Sequence, residues 1–233
     1  MKTEVDGNHW LGHVGCNPDG GFTVVGSRTD TDDTTFGVFA QHYDATGATL
    51  GQAFTINPSP EGTQVQPVVA VGQGGVGVVL YEDAPSDGNY VLMGRSFSED
   101  GTTSDAFKVL SLGGTDALKP ALSISPGGRL AYAGNLETQL HVLSSSSLQS
   151  PEVFKSWVSP LESRILPALT FLWNDSRLVL ASLLNAIGPG EPSVAVDVFE
   201  QGSDMPVSSI LLGNDPKLPP YPPSVAWGSG TLA

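Results

Sequence analysis

The sequence predicts an all-β chain of four-stranded antiparallel blades, and three observations carry that prediction. The first is internal repetition: "HVGCNPDGGFTVVGSR" from His13, "PVVAVGQGGVGVVLYE" from Pro67, "PALSISPGGRLAYAGN" from Pro120 and "PALTFLWNDSRLVLAS" from Pro167 share one pattern. Each is an apolar strand, a turn of Gly, Asp, Asn or Pro, and a second apolar strand. The second is strand character. Val76-Gly-Val-Val-Leu80 and Leu178-Val-Leu-Ala181 are apolar on both faces, where a sheet with one wet face would alternate. The third is composition: 28 Gly and 18 Pro among 233 residues favour many short strands joined by tight turns. Tandem four-stranded units covered on both faces are the blades of a β-propeller.

The units follow in order. Residues 13–66 form the first, whose second half "VFAQHYDATGATLGQAFTIN" starts at Val38. Residues 67–119 form the second, where "VLMGRSFSEDGTTSDAFKVL" from Val91 sets Gly101 over Gly47 and Phe107 over Phe54. Glycine at these turns tolerates the positive φ of a hairpin. The third and fourth units, 120–166 and 167–222, keep only "LHVLSSSSLQSPEVFKSW" and "VAVDVFEQGSDMPVSSILL" of that second half. Residues 1–12 and 223–233 supply a partial fifth blade. One domain over 1–233 is therefore expected, either part of a larger ring completed by a second chain, closed on itself by a reduced blade, or paired between copies. A helix over Ser176 to Gly188, with Leu180, Leu183, Leu184 and Ile187 as its stripe, is the rival local reading. The absence of helical period in the other copies weighs against it.

Bulk numbers exclude several classes. A net charge of -14 repels a phosphate backbone, so nucleic acid is not an expected partner. Cys16 is the single cysteine, which rules out an internal disulfide and suits a small apolar strand residue. Met1-Lys2-Thr-Glu-Val-Asp-Gly lacks the apolar core of a signal peptide. The most apolar stretch, Ile165 to Ile187, is broken by Pro167 and Asn174-Asp-Ser-Arg177 and does not read as a membrane span.

Several motifs resemble a bacterial repeat family of secreted and cell-surface proteins. Gly20-Gly-Phe-Thr-Val-Val25, Gln41-His-Tyr-Asp-Ala-Thr-Gly47, Gly51-Gln-Ala-Phe-Thr-Ile-Asn57 and Pro67-Val-Val-Ala70 fit its unit in order. Gly94-Arg-Ser-Phe97 and Pro223-Ser-Val-Ala-Trp227 fit again. The resemblance is good over 13–120 and weak beyond. It implies an exported propeller that binds or displays, and it brings no catalytic residues.

Candidate chemistry is sparse. Asp30, Asp32 and Asp33 in the loop "RTDTDDTT" offer hard oxygens to Ca²⁺, and Glu82, Asp83 and Asp87 occupy the equivalent loop of the second unit. The spacing lacks the alternating order of a dedicated calcium loop, so a solvated polar turn competes, and no other cofactor is expected. "SEDGTT" at Ser98 is similar to the Asp-box hairpin of sialidases, itself a structural motif. His9, His13, His42 and His141 have no zinc spacing, and "SSSS" from Ser144 has no nucleophile turn. Trp10, Trp157, Trp173 and Trp227 fall in or beside apolar strands, which favours packing over sugar stacking. "DPKLPPYPP" from Asp215 reads as a stiff connector between blades.

The resulting expectation is a non-enzymatic, extracellular or cell-surface binding module whose partner is a protein, a glycan or a completing chain. A carbohydrate-active propeller with carboxylates at one mouth is the alternative, since distant carboxylates can meet at the axis. A structural piece of a multi-chain assembly is the third.

Overall fold

The computed structural model describes residues 9–18, 20–29, 35–84, 90–111, 121–136, 139–145, 155–158, 164–171, 177–184, 193–200, 203, 205–212, 227–228 and 231–232. These form four four-stranded antiparallel sheets and a two-stranded hairpin. The first sheet holds β1 (His9–Cys16), β2 (Phe22–Thr29), β3 (Phe36–Tyr43) and β4 (Thr49–Thr55) in that order. The second holds β5 (Thr63–Val71), β6 (Gly77–Ala84), β7 (Val91–Phe97) and β8 (Phe107–Ser111). The third holds β9 (Ala121–Ile124), β10 (Leu130–Leu136), β11 (Gln139–Ser145) and β12 (Lys155–Val158). The fourth holds β13 (Arg164–Phe171), β14 (Arg177–Leu184), β15 (Ser193–Glu200) and β16 (Ser208–Leu212). β17 (Trp227–Gly228) and β18 (Thr231–Leu232) make the hairpin. Residues 176 and 185–188 of the stretch offered as a helix lie outside the described residues; Arg177–Leu184 is strand β14, paired along its length with β15. Its apolar stripe follows the sheet because Leu178 to Ala181 is buried on both faces.

Burial says which strand of a sheet is innermost. β4 is mostly exposed and β16 wholly so, whereas β5 is buried over Pro67 to Val71. In the second sheet the first strand is therefore the inner one, and in the first and fourth sheets the fourth strand is the outer edge. Gly77 to Leu80 is buried on both faces as its composition requires, with Val76 left in solvent at 37%.

The chain divides into two compact units, Met1–Ala117 and Leu118–Ala233. In the first, Val25, Val38, Ala40 and Ile56 pack against Val69, Val71, Val79, Tyr81 and Phe97 of the second sheet, with Phe54 and Met93 alongside. In the second, Ala131, Ala133 and Val142 pack against Leu178, Leu180 and Phe199. Each sheet buries one face against its neighbour, which no single blade could do alone.

The equivalent turns are built alike. Gly47 and Gly101 sit at φ 83 and 81, and each donates to the carbonyl three residues back, Asp44 at 3.0 Å and Ser98 at 2.9 Å. Carboxylates fasten both turns: Asp44 Oδ1 accepts from Thr46 N, Thr46 Oγ1 and Ala48 N, and Asp100 Oδ1 from Ser98 Oγ and Thr102 N. These hydrogen bonds hold both carboxyls below the usual aspartate pKa. Asp100 in the "SEDGTT" hairpin therefore serves the turn. Inner strands share a second device, a β-bulge between Trp10 and His13, Val65 and Val68, and Ile165 and Ala168. This register sets Gly12, rather than His13, at the position of Pro67 and Pro167.

Candidate functional site

In the first unit, the end of the sheets where β4 crosses to β5 gathers a network of amides around one carboxylate. The crossing segment leaves β4 through buried Ile56 and Asn57. Asn57 Oδ1 accepts from Val38 N at 2.8 Å, and Asn57 Nδ2 donates to Ser59 O at 2.7 Å and to Gln64 Oε1 at 3.0 Å. Gln64, buried on β5, donates through Nε2 to Glu61 O at 2.7 Å and to Asp83 Oδ1 at 2.9 Å. An amide both donates and accepts, so the two side chains relay from the β3 backbone to the Asp83 carboxylate.

Asp83 lies at the end of β6, half-buried. Tyr81, two residues earlier, shares its face of the strand. Burial, with the Asp83 carboxylate adding, pushes the Tyr81 hydroxyl up to about 12, while the Arg95 guanidinium works the other way. That hydroxyl stays protonated at neutral pH. Arg95 is committed to the scaffold, donating through Nη1 to Ile56 O at 2.8 Å and through Nε to Ser104 O at 2.6 Å. Glu82 is fully buried, and as the next residue along β6 it projects to the opposite face from Asp83. The two carboxylates cannot flank one bond.

Glu82 and Asp83 were expected in a loop; both belong to strand β6. The strand continues because Glu82 and Asp83 pair with Val65 and Gln64 on one side and with Leu92 and Val91 on the other. Asp30, Asp32, Asp33 and Asp87 lie outside the described residues, as do Trp173 and the Pro-rich run at 215–223. Among the described residues no group of three or more His, Cys, Asp or Glu side chains is placed to hold a metal. Cys16 ends β1 and is exposed rather than buried, because it closes the strand beside the turn to Phe22. Of the histidines, His42 is buried on β3: Thr23 Oγ1 lies 2.8 Å from its Nδ1, and the rings of Phe54 and Phe97 stand 5.0 and 5.3 Å away. It serves the seam between the first two sheets. Gln64 escaped sequence reasoning; Asn57 closes the Gly51-to-Asn57 motif and Arg95 belongs to the Gly94-to-Phe97 motif, and those repeat positions were the signals available.

No family model and no curated protein sequence matches the chain. Solved structures do. The family-43 endo-arabinanase from Bacillus licheniformis superposes with a TM-score of 0.52 at 15% identity, over 91% of this chain and 83% of that one. A thermostable family-43 glycoside hydrolase gives 0.53 at 13%, over 93% and 78%. The β-propeller domain of the Trilobed protease from Pyrococcus furiosus gives 0.51 at 11%, over 88% and 58%. The fold is a β-propeller. Identity this low carries the fold alone.

These likenesses correct the functional expectation. A non-enzymatic module was inferred from repeats and from the lack of a catalytic motif, yet glycoside hydrolases are built on the same blades. The reason is physical: repeats specify turns and strands, while reacting groups sit at strand ends and in loops, with no pattern of their own. The lack of a catalytic motif therefore no longer supports the non-enzymatic reading. Among the described residues, no helix is long and apolar enough to cross a membrane.

Proposed function

We propose that this chain is a carbohydrate-active β-propeller that cleaves glycosidic bonds, with Asp83 as one of its carboxylates. The observation that carries the reading is Asp83 itself, a half-buried carboxylate at a strand end, oriented by a buried glutamine that Asn57 orients in turn. A carboxylate aimed by a fixed donor is what general acid–base work on a glycosidic oxygen needs. Its likeness to a family-43 endo-arabinanase supports pentose-containing glycans as first substrates.

Glycoside hydrolysis takes two carboxylates about 5–10 Å apart. Glu82 faces away, so the second must come from another segment. Asp30, Asp32 and Asp33 belong to the connection from β2 to β3, which in the repeat corresponds to the one that follows Asp83. They are the candidates for it, and for Ca²⁺ should the site take one. An extracellular setting goes with this reading, because polymeric glycans do not cross membranes.

The test is hydrolysis of arabino-, xylo- and fructo-oligosaccharides and aryl glycosides by the wild-type chain and by Asp83→Asn. The wild type is expected to turn over at least one of them, and Asp83→Asn to lose on the order of 10²-fold or more in kcat while keeping its fold. Inertness of the wild type across the panel, or full activity of Asp83→Asn, would overturn the proposal.

A further inference from the structure

The three bulged inner strands differ in what they carry at the bulge. β1 has Leu11-Gly12, β13 has Leu166-Pro167, and β5 has Gln66-Pro67. Only β5 has a polar side chain there. Gln66 is also the one non-glycine among the described residues with a positive φ, 52°. That conformation is disfavoured wherever a Cβ is present. The following proline does not impose it: residues before proline are driven toward extended backbone. Glycine would occupy the position without strain, and the chain has a glutamine.

The side chain is uncommitted as well. Gln41, Asn57 and Gln64 spend their amides on backbone carbonyls, on each other and on Asp83. Gln66 is half-buried, two residues from Gln64, and its amide makes no hydrogen bond within the described residues. Bulges re-aim side chains beside active sites, and strained backbone persists where the re-aimed group is used.

We infer that Gln66 is a substrate-contacting residue of the site proposed above, its amide hydrogen-bonding the hydroxyls of a neutral sugar. The inference rests on the carbohydrate-active reading and adds the substrate class. A carboxamide offers a donor and an acceptor side by side, which matches a hydroxyl or a vicinal pair of them. An anionic sugar calls for guanidinium or ammonium partners. Here Arg95 is spent on backbone carbonyls, Arg177 on Glu200, and Arg28 lies over the Phe39 ring. The net charge of -14 adds a field that opposes anions.

The experiment pairs stability with turnover. Thermal midpoints and kcat/KM are measured for wild type, Gln66→Gly and Gln66→Asn, on the neutral oligosaccharides above and on sialylated and uronate-containing ones. Gln66→Gly is expected to melt at or above the wild type, because the strain is released, and to lose on the order of tenfold in kcat/KM, the worth of a missing hydrogen bond. Gln66→Asn, which tolerates the left-handed backbone and keeps an amide, is expected to retain more. Gln66→Gly with wild-type kcat/KM, or a wild type that prefers the anionic sugars, would overturn this inference and leave the glycosidase reading standing. A wild type inert on every sugar would overturn both.

Discussion

His42 is the residue whose chemistry the packing constrains most. Its Nε2 is buried beneath a turn that brings the Ser98 backbone and the Glu99 and Asp100 carboxylates to the ring. Burial lowers its pKa from 6.5, and those three groups offset only part of that. The sign follows from linkage: above pH 6.5 both states hold a neutral imidazole and stability is complete. Below it the unfolded chain takes the proton first, and stability is lost as the pH falls toward the folded pKa. The unfolding midpoint should therefore drop as the pH falls below 6.5, and His42→Gln should flatten most of that drop. Parallel curves for variant and wild type would place the effect elsewhere, first at His13, whose pKa desolvation also lowers. Asp44 and Asp100, held low by their turns, lose their contribution only at more acid pH. None of this was legible in the sequence. The alignment set Phe107 over Phe54, but it could not show that Phe97 and Phe54 close on the histidine between them.

Whole strands depend on glycine in a way composition alone does not reveal. Gly77 pairs with Phe97 and Gly94 with Phe107, and each aromatic ring lies over its cross-strand glycine. A Cβ at Gly77 would come within 2.3 Å of Phe97 Cζ, and one at Gly94 within 2.3 Å of Phe107 Cε2. The missing side chain is the space the ring fills. Gly94→Ala should cost about 1–3 kcal/mol in urea unfolding, through overpacking. A change within about 0.5 kcal/mol would mean the ring moves aside freely. At this scale the sequence read well. Apolar runs and Gly-containing turns gave the four-stranded antiparallel sheets, because burial on two faces and positive φ both leave marks on residue type. The bulges left none. They depend on pairing register: β1, β5 and β13 each carry the same extra residue, and alignment by residue type set His13 over Pro67, one position from its structural counterpart Val68.

At the scale of the whole molecule, β16 is the least protected outer edge among the described residues. β4 has Gly51 at φ 67 and a register shift, β8 has Lys108 and a shift, and β12 has Lys155. β16 pairs evenly with β15 and bears no charge, while Ile210, Leu211 and Leu212 are 52%, 68% and 52% exposed. Such an edge is a template for another strand. Leu211→Lys should leave the unfolding midpoint in place and raise the protein concentration at which light scattering begins. An unchanged onset would show that the strand takes no part in association. The propeller was legible at this scale and its activity was not, since strands and turns repeat but Asp83, Gln64 and Gln66 occur once each in their roles. Arg95 adds a point about time. It clasps the Ile56 carbonyl from a position 39 residues further along the chain. As the polypeptide leaves the ribosome, the exit from the first blade therefore waits unfastened until most of the second has been made, and any pause in translation between those two codons prolongs the interval in which that exit is loose.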